Sequence, residues 1–240
     1  GRPFQELLQY FAMERFLYRL ARSPFADQFI LKGALLLTAW KAPVTRPTMD
    51  IDLAGKTSNE LEHMRSVVAE LCQLDTEPDG LKFAADSIEA QRIKEDAEYE
   101  GVRVRFNATL AKARISMQID VGFGDVIVPK PLEVEYPAML EFPPPMLRAY
   151  PKETVVAEKL EALTVLGMLN SRIKDYYDLA LLARLYSFEG ALLVEAIHST
   201  FHHRGTRVEA NPVGLTEAFS SDPARAVQWR AFVRRSRLDS

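Results

Sequence analysis

Hydrophobic spacing divides the chain into a first part that mixes helices with strands and a later part that is mostly helical. Apolar residues recur every three to four positions from Phe4 to Leu20, which predicts an amphipathic helix. Residues 29–32 then predict a short strand, Gly33 a turn, and residues 34–40 a second helix. A strand, a glycine turn and a helix start aim backbone N–H groups at an anion, so a phosphate could bind there.

Two later segments alternate apolar and polar residues, which is the pattern of strands with one buried face. The first covers residues 102–107, and the second covers residues 114–121, where Asp120 joins the polar face. A glycine-containing turn follows at residues 122–125. The proline run at residues 143–145 is expected to end this mixed region, because consecutive prolines continue neither a helix nor a central strand.

Two aspartates share one face of another predicted strand, within Arg46-Pro-Thr-Met-Asp50-Ile-Asp52-Leu. Strand side chains alternate between faces, so Thr48, Asp50 and Asp52 point one way and the apolar residues point the other. Two carboxylates at this spacing repel each other, and a bound divalent cation explains why both are present. The residues alone fit several metal-dependent enzymes, a phosphatase or a nuclease among them.

Two predicted helices after the proline run carry charged residues among apolar ones. In a helix over residues 151–168, Lys159 falls in the apolar sector, where it could extend to water or reach a phosphate in a cleft. In the next helix, Asp178 lies beside leucines and four residues after Lys174. These two could form an internal ion pair, or they could line a polar site.

Composition limits the class of protein. The 240 residues are 48% hydrophobic, enough for a folded core, and the net charge of −3 excludes a strongly basic nucleic-acid coat. A local basic patch is still compatible with that charge. The arginine-rich end from Arg230 to Arg237, or Arg103, Arg105 and Arg114 on the predicted strands, could be such a patch or only a solvated face.

The cellular compartment is suggested by three features of the sequence. No apolar stretch approaches the roughly 20 residues of a membrane span, so no membrane association is expected. The single Cys72 cannot form an internal disulfide, and no signal segment is visible, which favours the cytoplasm. The sequence begins Gly1-Arg2 rather than with methionine, so it could be a fragment. The missing signal segment is then weaker evidence for the cytoplasm.

Five motifs in order resemble the AbiEii family of nucleotidyltransferase toxins. They are Lys32-Gly-Ala, Arg46-x-Thr-x-Asp50-x-Asp52-Leu, Ile119-Asp-Val-Gly-Phe-Gly124-Asp, Val156-Ala-Glu-Lys159-Leu-Glu-Ala and Asn170-Ser-Arg-Ile-Lys174-Asp-Tyr-Tyr-Asp178-Leu. Each motif alone is unspecific. All five occur in the family's order between Phe29 and Leu185, which makes the resemblance strong.

The resemblance implies an α+β fold, with a DNA polymerase β-like nucleotidyltransferase core built on a mixed sheet and a C-terminal helical region. We place the core with its N-terminal helix at residues 1–145 and the helical domain at residues 146–240. The resemblance also implies an abortive-infection or toxin-antitoxin system with a winged-helix antitoxin as partner. Such a toxin transfers a nucleotide from an NTP to an RNA acceptor and releases pyrophosphate; in mycobacterial relatives the acceptor is the tRNA 3′ end.

The resemblance further implies a metal site and a catalytic set. Asp50 and Asp52 would hold Mg²⁺ on the NTP phosphates, and Asp120 would bind a second metal or deprotonate the attacking hydroxyl. In the family the aspartate of the Lys-Asp pair also matters for activity, so Asp175 joins Lys159 as an expected catalytic residue of the helical domain.

The implied nucleotide contacts surround the phosphates. The backbone of the glycine turn and several cations would neutralise charge as pyrophosphate leaves. The expected contacts are Lys32, Gly33, Ala34, Arg46, Lys159 and Lys174.

Two positions need separate comment. Ala34 stands where the family usually has a second glycine or a serine, which keeps the backbone donors but removes conformational freedom or a hydroxyl. Thr48 stands where some relatives carry a serine that their antitoxin phosphorylates; otherwise its hydroxyl would support the strand or a metal-bound water.

Two other functions fit the same residues. A nucleotidyltransferase that modifies a small molecule such as an antibiotic would share the carboxylates but would not require the segment from Asn170 to Asp175. A catalytically silent relative could serve as a binding or regulatory partner, which the substitution at Ala34 would allow and the three carboxylates oppose.

Overall fold

The computed structural model divides the chain into two compact units. The described residues are 2–43, 46–94 and 100–238. Unit 1 comprises Gly1–Asp125 and Leu132–Ala149, and unit 2 comprises Val126–Pro131 and Tyr150–Ser240.

Unit 1 is built on one seven-stranded sheet. Its strands are β1 (Phe29–Lys32), β2 (Ile51–Gly55), β3 (Leu81–Lys94), β4 (Glu100–Leu110), β5 (Ala113–Phe123), β6 (Leu132–Glu135) and β7 (Met146–Ala149). The order across the sheet is β3-β4-β5-β2-β1-β7-β6. The pairs β1 with β7 and β2 with β5 are parallel and the others antiparallel, so the predicted mixed sheet is confirmed.

Three α-helices of unit 1 are α1 (Phe4–Arg22), α2 (Leu35–Ala39) and α3 (Leu61–Gln73). The predicted helix α1 is present, but it is buried on every side from Leu8 to Leu20 rather than amphipathic. It packs against β5, α3 and β7. Two of its buried polar side chains have partners in distant segments: Arg19 donates to Asp79, in the connection from α3 to β3, at 2.7 Å, and Gln9 donates to the carbonyl oxygen of Ser116 in β5 at 3.0 Å.

The predicted alternation in β4 and β5 separates an apolar face from a polar one. Val104 and Phe106 of β4, and Met117 and Ile119 of β5, are buried. Phe16 of α1 contacts Phe106 with 5.3 Å between ring centroids, so α1 covers this apolar face. The polar face of the same strands carries the site residues described below.

The sheet continues beyond the proline run. Residues 143–145 lie in the connection from β6 to β7, and β7 pairs with both β1 and β6. The expectation that the prolines end the mixed region is therefore wrong, because one more strand, β7, follows them. The prolines sit outside the strands, so their missing N–H groups cost no pairing.

Unit 2 is helical in its described residues. Its helices are α4 (Lys152–Leu166), α5 (Ile173–Leu185), α6 (Gly190–His203), α7 (Glu217–Ser220) and α8 (Pro223–Ser236). Helix α4 packs against α5 and α6, and α5 packs against α8. The α+β class with a C-terminal helical region is thus confirmed. Among the described helices, none combines the length and the apolar character that crossing a membrane requires.

Candidate functional site

One lateral row of the unit 1 sheet carries four charged residues. Lys32 of β1 lies opposite Asp52 of β2, Asp52 lies opposite Asp120 of β5, and Asp120 lies opposite Arg103 of β4. Residues opposite one another on neighbouring strands project to the same face. The order across the sheet is therefore positive, negative, negative, positive.

Asp50 adds a third carboxylate beside this row. It lies immediately before β2, and oxygen atoms of Asp50, Asp52 and Asp120 all lie within 4.8 Å of one another. Asp120 is buried and the other two are half-buried. Carboxylate oxygens are the ligands that Mg²⁺ prefers, so the donor set and its spacing fit the predicted metal. Asp50 and Asp52 are two positions apart in the chain, whereas Asp120 lies 68 positions after Asp52 and joins them only through the pairing of β2 with β5.

Arg103 forms a bidentate ion pair with Asp120. Its Nε donates to Oδ1 at 2.7 Å, and its Nη2 donates to Oδ2 at 2.6 Å. These hydrogen bonds, together with the charges of Asp50 and Asp52, raise the pKa of Arg103 above its usual value although burial lowers it. The sequence placed Arg103 on a polar strand face, but its partner depends on the register between β4 and β5.

The glycine turn lies directly against one carboxylate of the group. Gly33 has φ +72°, and a Cβ there would lie 2.0 Å from Oδ2 of Asp52. Both the conformation and the space therefore require glycine. Ala34 follows with φ −69°, which alanine adopts readily, so the departure from a second glycine introduces no backbone strain. Helix α2 begins after it, at Leu35.

Two of the expected phosphate contacts are buried in unit 1. Lys32 and Arg46 are each 8% exposed. The Lys32 ammonium donates to Oδ2 of Asp125 at 3.0 Å, and Lys56 donates to the backbone oxygen of Asp125 at 3.2 Å. Asp125 was recognised in the sequence only as a turn residue. The sequence feature that could have indicated its role is its position at the end of the glycine-containing motif that also contains Asp120.

Thr48 is bonded to the carboxylate group. Its hydroxyl donates to Oδ1 of Asp50, and its backbone N–H donates to the Tyr10 hydroxyl at 3.1 Å. Thr48 is buried, so its hydroxyl orients Asp50 from within unit 1.

The expected site residues of unit 2 form a separate ion cluster. Lys159 of α4 lies 2.6 Å from Asp175 and 2.9 Å from Asp178, both on α5, and Arg172 lies 2.6 Å from Asp175. Burial by itself raises the pKa of Asp175, but the charges of Lys159 and Arg172 outweigh it and hold that pKa below its ordinary value. Lys174 is exposed. The buried carboxylates of Asp175 and Asp178 on α5 are thus both paired with Lys159 of α4.

Helix α8 presents a basic surface. The helix contains four arginines and no acidic residue. Arg225 donates to the backbone oxygen of Asn170 at 2.6 Å, which ties α8 to the segment before α5. The other arginines of α8 are exposed, and Trp229, immediately before Arg230, is 41% exposed.

Comparisons with known proteins show the family of the chain. A family model described as "Nucleotidyl transferase AbiEii toxin, Type IV TA system" matches residues 15–239. No curated protein matches the chain.

Two solved structures from Helicobacter pylori are similar in fold. JHP933 is 15% identical, with 99% of this chain and 95% of that chain covered and a TM-score of 0.52. A second protein, described as a candidate nucleotidyltransferase, is 16% identical, with 100% and 99% covered and a TM-score of 0.50. At these identities the likeness shows the fold alone.

Proposed function

The chain belongs to the AbiEii family of nucleotidyltransferase toxins, and on that premise we propose that it transfers a nucleotide from an NTP to RNA, at the 3′ end of tRNA. The hydroxyl oxygen of the acceptor forms a bond to the α-phosphorus of the NTP. The bond from that phosphorus to the bridging oxygen breaks, and pyrophosphate leaves with the electron pair. The hydroxyl proton passes to a base. The observation that carries the proposal is the group of three carboxylates on unit 1.

The carboxylates are the proposed holders of Mg²⁺. Asp50, Asp52 and Asp120 would bind it, and bound there it would offset the negative charge of the NTP phosphates. The hydroxyl of Thr48 holds Asp50 in orientation, and Gly33 gives Asp52 the space that it occupies. The chain thus positions two of the ligands through neighbours that have no charge of their own.

Asp120 has one of two proposed roles, as a ligand of a second metal or as the base for the attacking hydroxyl. Both of its oxygens accept a hydrogen bond from Arg103. These two hydrogen bonds fix the plane of the Asp120 carboxylate, which either role requires.

The remaining site residues are proposed on the strength of the family motifs. Lys32, Gly33, Ala34, Arg46, Lys159 and Lys174 are the proposed phosphate contacts, and Lys159 and Asp175 the proposed catalytic residues. Because Lys159 is bonded to two buried carboxylates, any loss of activity on its substitution must be separated from a loss of folding.

Charge on unit 2 supports a polyanionic acceptor. The exposed arginines of α8 and the exposed ring of Trp229 are the kinds of side chain that contact phosphates and unstacked bases. An RNA acceptor and NTPs are both cytoplasmic, so the cytoplasm is the proposed site of action. Membership of a toxin-antitoxin family supports an antitoxin partner, which we propose is a winged-helix protein.

The test is a transfer assay with each labelled NTP in turn. The purified protein is incubated with Mg²⁺, α-labelled NTP and either total tRNA or a panel of small acceptors that includes antibiotics. We expect label on tRNA, lost in Asp52→Asn and kept in Asp86→Asn, a matched variant at an exposed aspartate of β3. Label on a small acceptor instead of tRNA would show that the substrate is a small molecule and not RNA. If no acceptor is labelled with any NTP, the protein is a catalytically silent relative.

A further inference from the structure

We propose that Arg103 is an internal counter-ion of the carboxylate group, which holds Asp120 in the metal-free protein and competes with a bound metal for that carboxylate. The proposal rests on the proposed function, because it takes Asp50, Asp52 and Asp120 to be the metal site. It adds a residue that none of the family motifs contains.

The geometry of the pair is the first support. Two parallel N–H···O bonds of 2.7 and 2.6 Å join the guanidinium to both oxygens of Asp120. Such a fork is the strongest arrangement between an arginine and a carboxylate, and it fixes the plane of the carboxylate as well as its position. Gln118 also lies on this side of Asp120, with its Nε2 3.4 Å from Oδ2.

The position of the pair in the row is the second support. Arg103 stands at one end of the row, on the side of Asp120 that faces away from Asp52. At the other end, Lys32 donates to Asp125, so part of its charge is offset by a carboxylate outside the group. Arg103 is thus a described cation that is bonded directly to one of the three carboxylates.

The charges explain why the two cations compete. A divalent ion bonded to Asp120 would lie within a few ångströms of the guanidinium, and like charges at that distance repel. Either the guanidinium gives up its two hydrogen bonds to Asp120, or its positive charge lowers the affinity of the site for the metal. Its side chain is 28% exposed, so it can turn toward solvent while the β4–β5 backbone pairing stays in place.

Binding of Mn²⁺ measures the competition directly, without turnover. Free Mn²⁺ is followed by electron paramagnetic resonance during titration of the wild type, Arg103→Gln, Arg103→Lys and Arg105→Gln. Arg105 is the matched control, because it lies two residues along the same face of β4 and donates to Gln118 at 3.1 Å instead of to a carboxylate.

We expect Arg103→Gln to bind Mn²⁺ about tenfold more tightly than the wild type, since it removes the competing charge. The same variant should melt at a lower temperature in EDTA and gain more from added Mn²⁺, because Asp120 has lost its bidentate partner. Arg105→Gln should match the wild type. Arg103→Lys keeps the charge without the fork, so its affinity should fall between those of the wild type and Arg103→Gln.

The outcomes separate this inference from the proposed function. Wild-type binding of Mn²⁺ with equal or weaker binding in Arg103→Gln would overturn the role of Arg103 and leave the metal site in place. Absence of Mn²⁺ binding in the wild type would overturn both. If Arg103→Gln does not fold without metal, Arg103→Lys decides, since affinity equal to that of the wild type or below it rejects the competition.

Discussion

Each unit of the molecule contains a cluster of aspartates, and the two clusters differ in how closely the carboxylates crowd together. In unit 1, the oxygens of Asp50, Asp52 and Asp120 lie within 4.8 Å of one another. Arg103 pairs with Asp120 at one edge of that group, whereas in unit 2 the ammonium of Lys159 lies within 3 Å of both Asp175 and Asp178.

This difference distinguishes a candidate binding site from a structural ion cluster. Three carboxylates that crowd together repel one another, and a bound divalent cation would stabilise them further. Carboxylates that face a lysine or an arginine are already stabilised, and removing a partner leaves a buried charge. We therefore expect substitutions in the first cluster to change activity and metal binding, and substitutions in the second to change folding stability as well.

The largest expected effect is on activity in unit 1. Asp52→Asn should lower nucleotidyl transfer at least about 1,000-fold, because it removes a ligand whose charge offsets the bound metal. The free energy of unfolding should fall less than in the Lys159→Met variant described next, since Asp52 is half-buried and its neutralisation lowers the repulsion within the group. Transfer of labelled nucleotide and urea denaturation measure the two quantities. A loss of stability as large as that of Lys159→Met would contradict the comparison.

The next effect is on stability in unit 2. Lys159→Met should lower the free energy of unfolding by about 3 kcal/mol, because Asp175 and Asp178 stay buried without their shared cation. Lys174→Met is the matched control, because Lys174 is exposed on the same helix as the carboxylates, and it should cost less than about 0.5 kcal/mol. Urea denaturation followed by circular dichroism gives both values. Equal costs for the two lysines would show that the cluster does not stabilise unit 2.

A smaller effect separates backbone strain from displacement of a carboxylate. Gly33→Ala and Gly124→Ala both place a side chain at positive φ, and each should cost about 1 kcal/mol in stability. Only the new Cβ at position 33 meets Asp52; a Cβ at position 124 has nothing within 4 Å. Gly33→Ala should therefore also weaken Mn²⁺ binding, whereas Gly124→Ala should not. Similar Mn²⁺ affinities in the two variants would argue against a metal ligand at Asp52.

The smallest effect is on pH dependence. The folded pKa of Asp175 lies below its value of about 3.9 in unfolded chains, so the unfolded state takes up a proton first as pH falls. The stabilisation is complete above about pH 5 and is lost as pH falls below 4 through the folded pKa. In Asp175→Asn the fall in unfolding free energy between pH 5 and pH 2 should be shallower than in the wild type. If the unfolding free energy of Asp175→Asn falls as steeply with pH as that of the wild type, carboxylates other than Asp175 cause the acid destabilisation.

Local patterns predicted most of the elements on which the site stands. The strand at residues 29–32, the turn at Gly33 and the alternation through residues 114–121 all appear in the structure. Each depends on neighbours a few positions away, which the sequence displays directly. The burial of α1 on all sides was not predicted, because Arg19 and Gln9 in that helix find their partners in distant segments.

The sequence by itself determined the family, the mixed fold and the three carboxylates, since these depend on motif order and on which face of a strand a residue occupies. Only the tertiary structure decided the partners. Arg103 meets Asp120 through the β4–β5 register, and Lys159 meets Asp175 through the packing of α4 on α5. Register and helix packing are set by the sum of many non-local contacts, and no single motif encodes them.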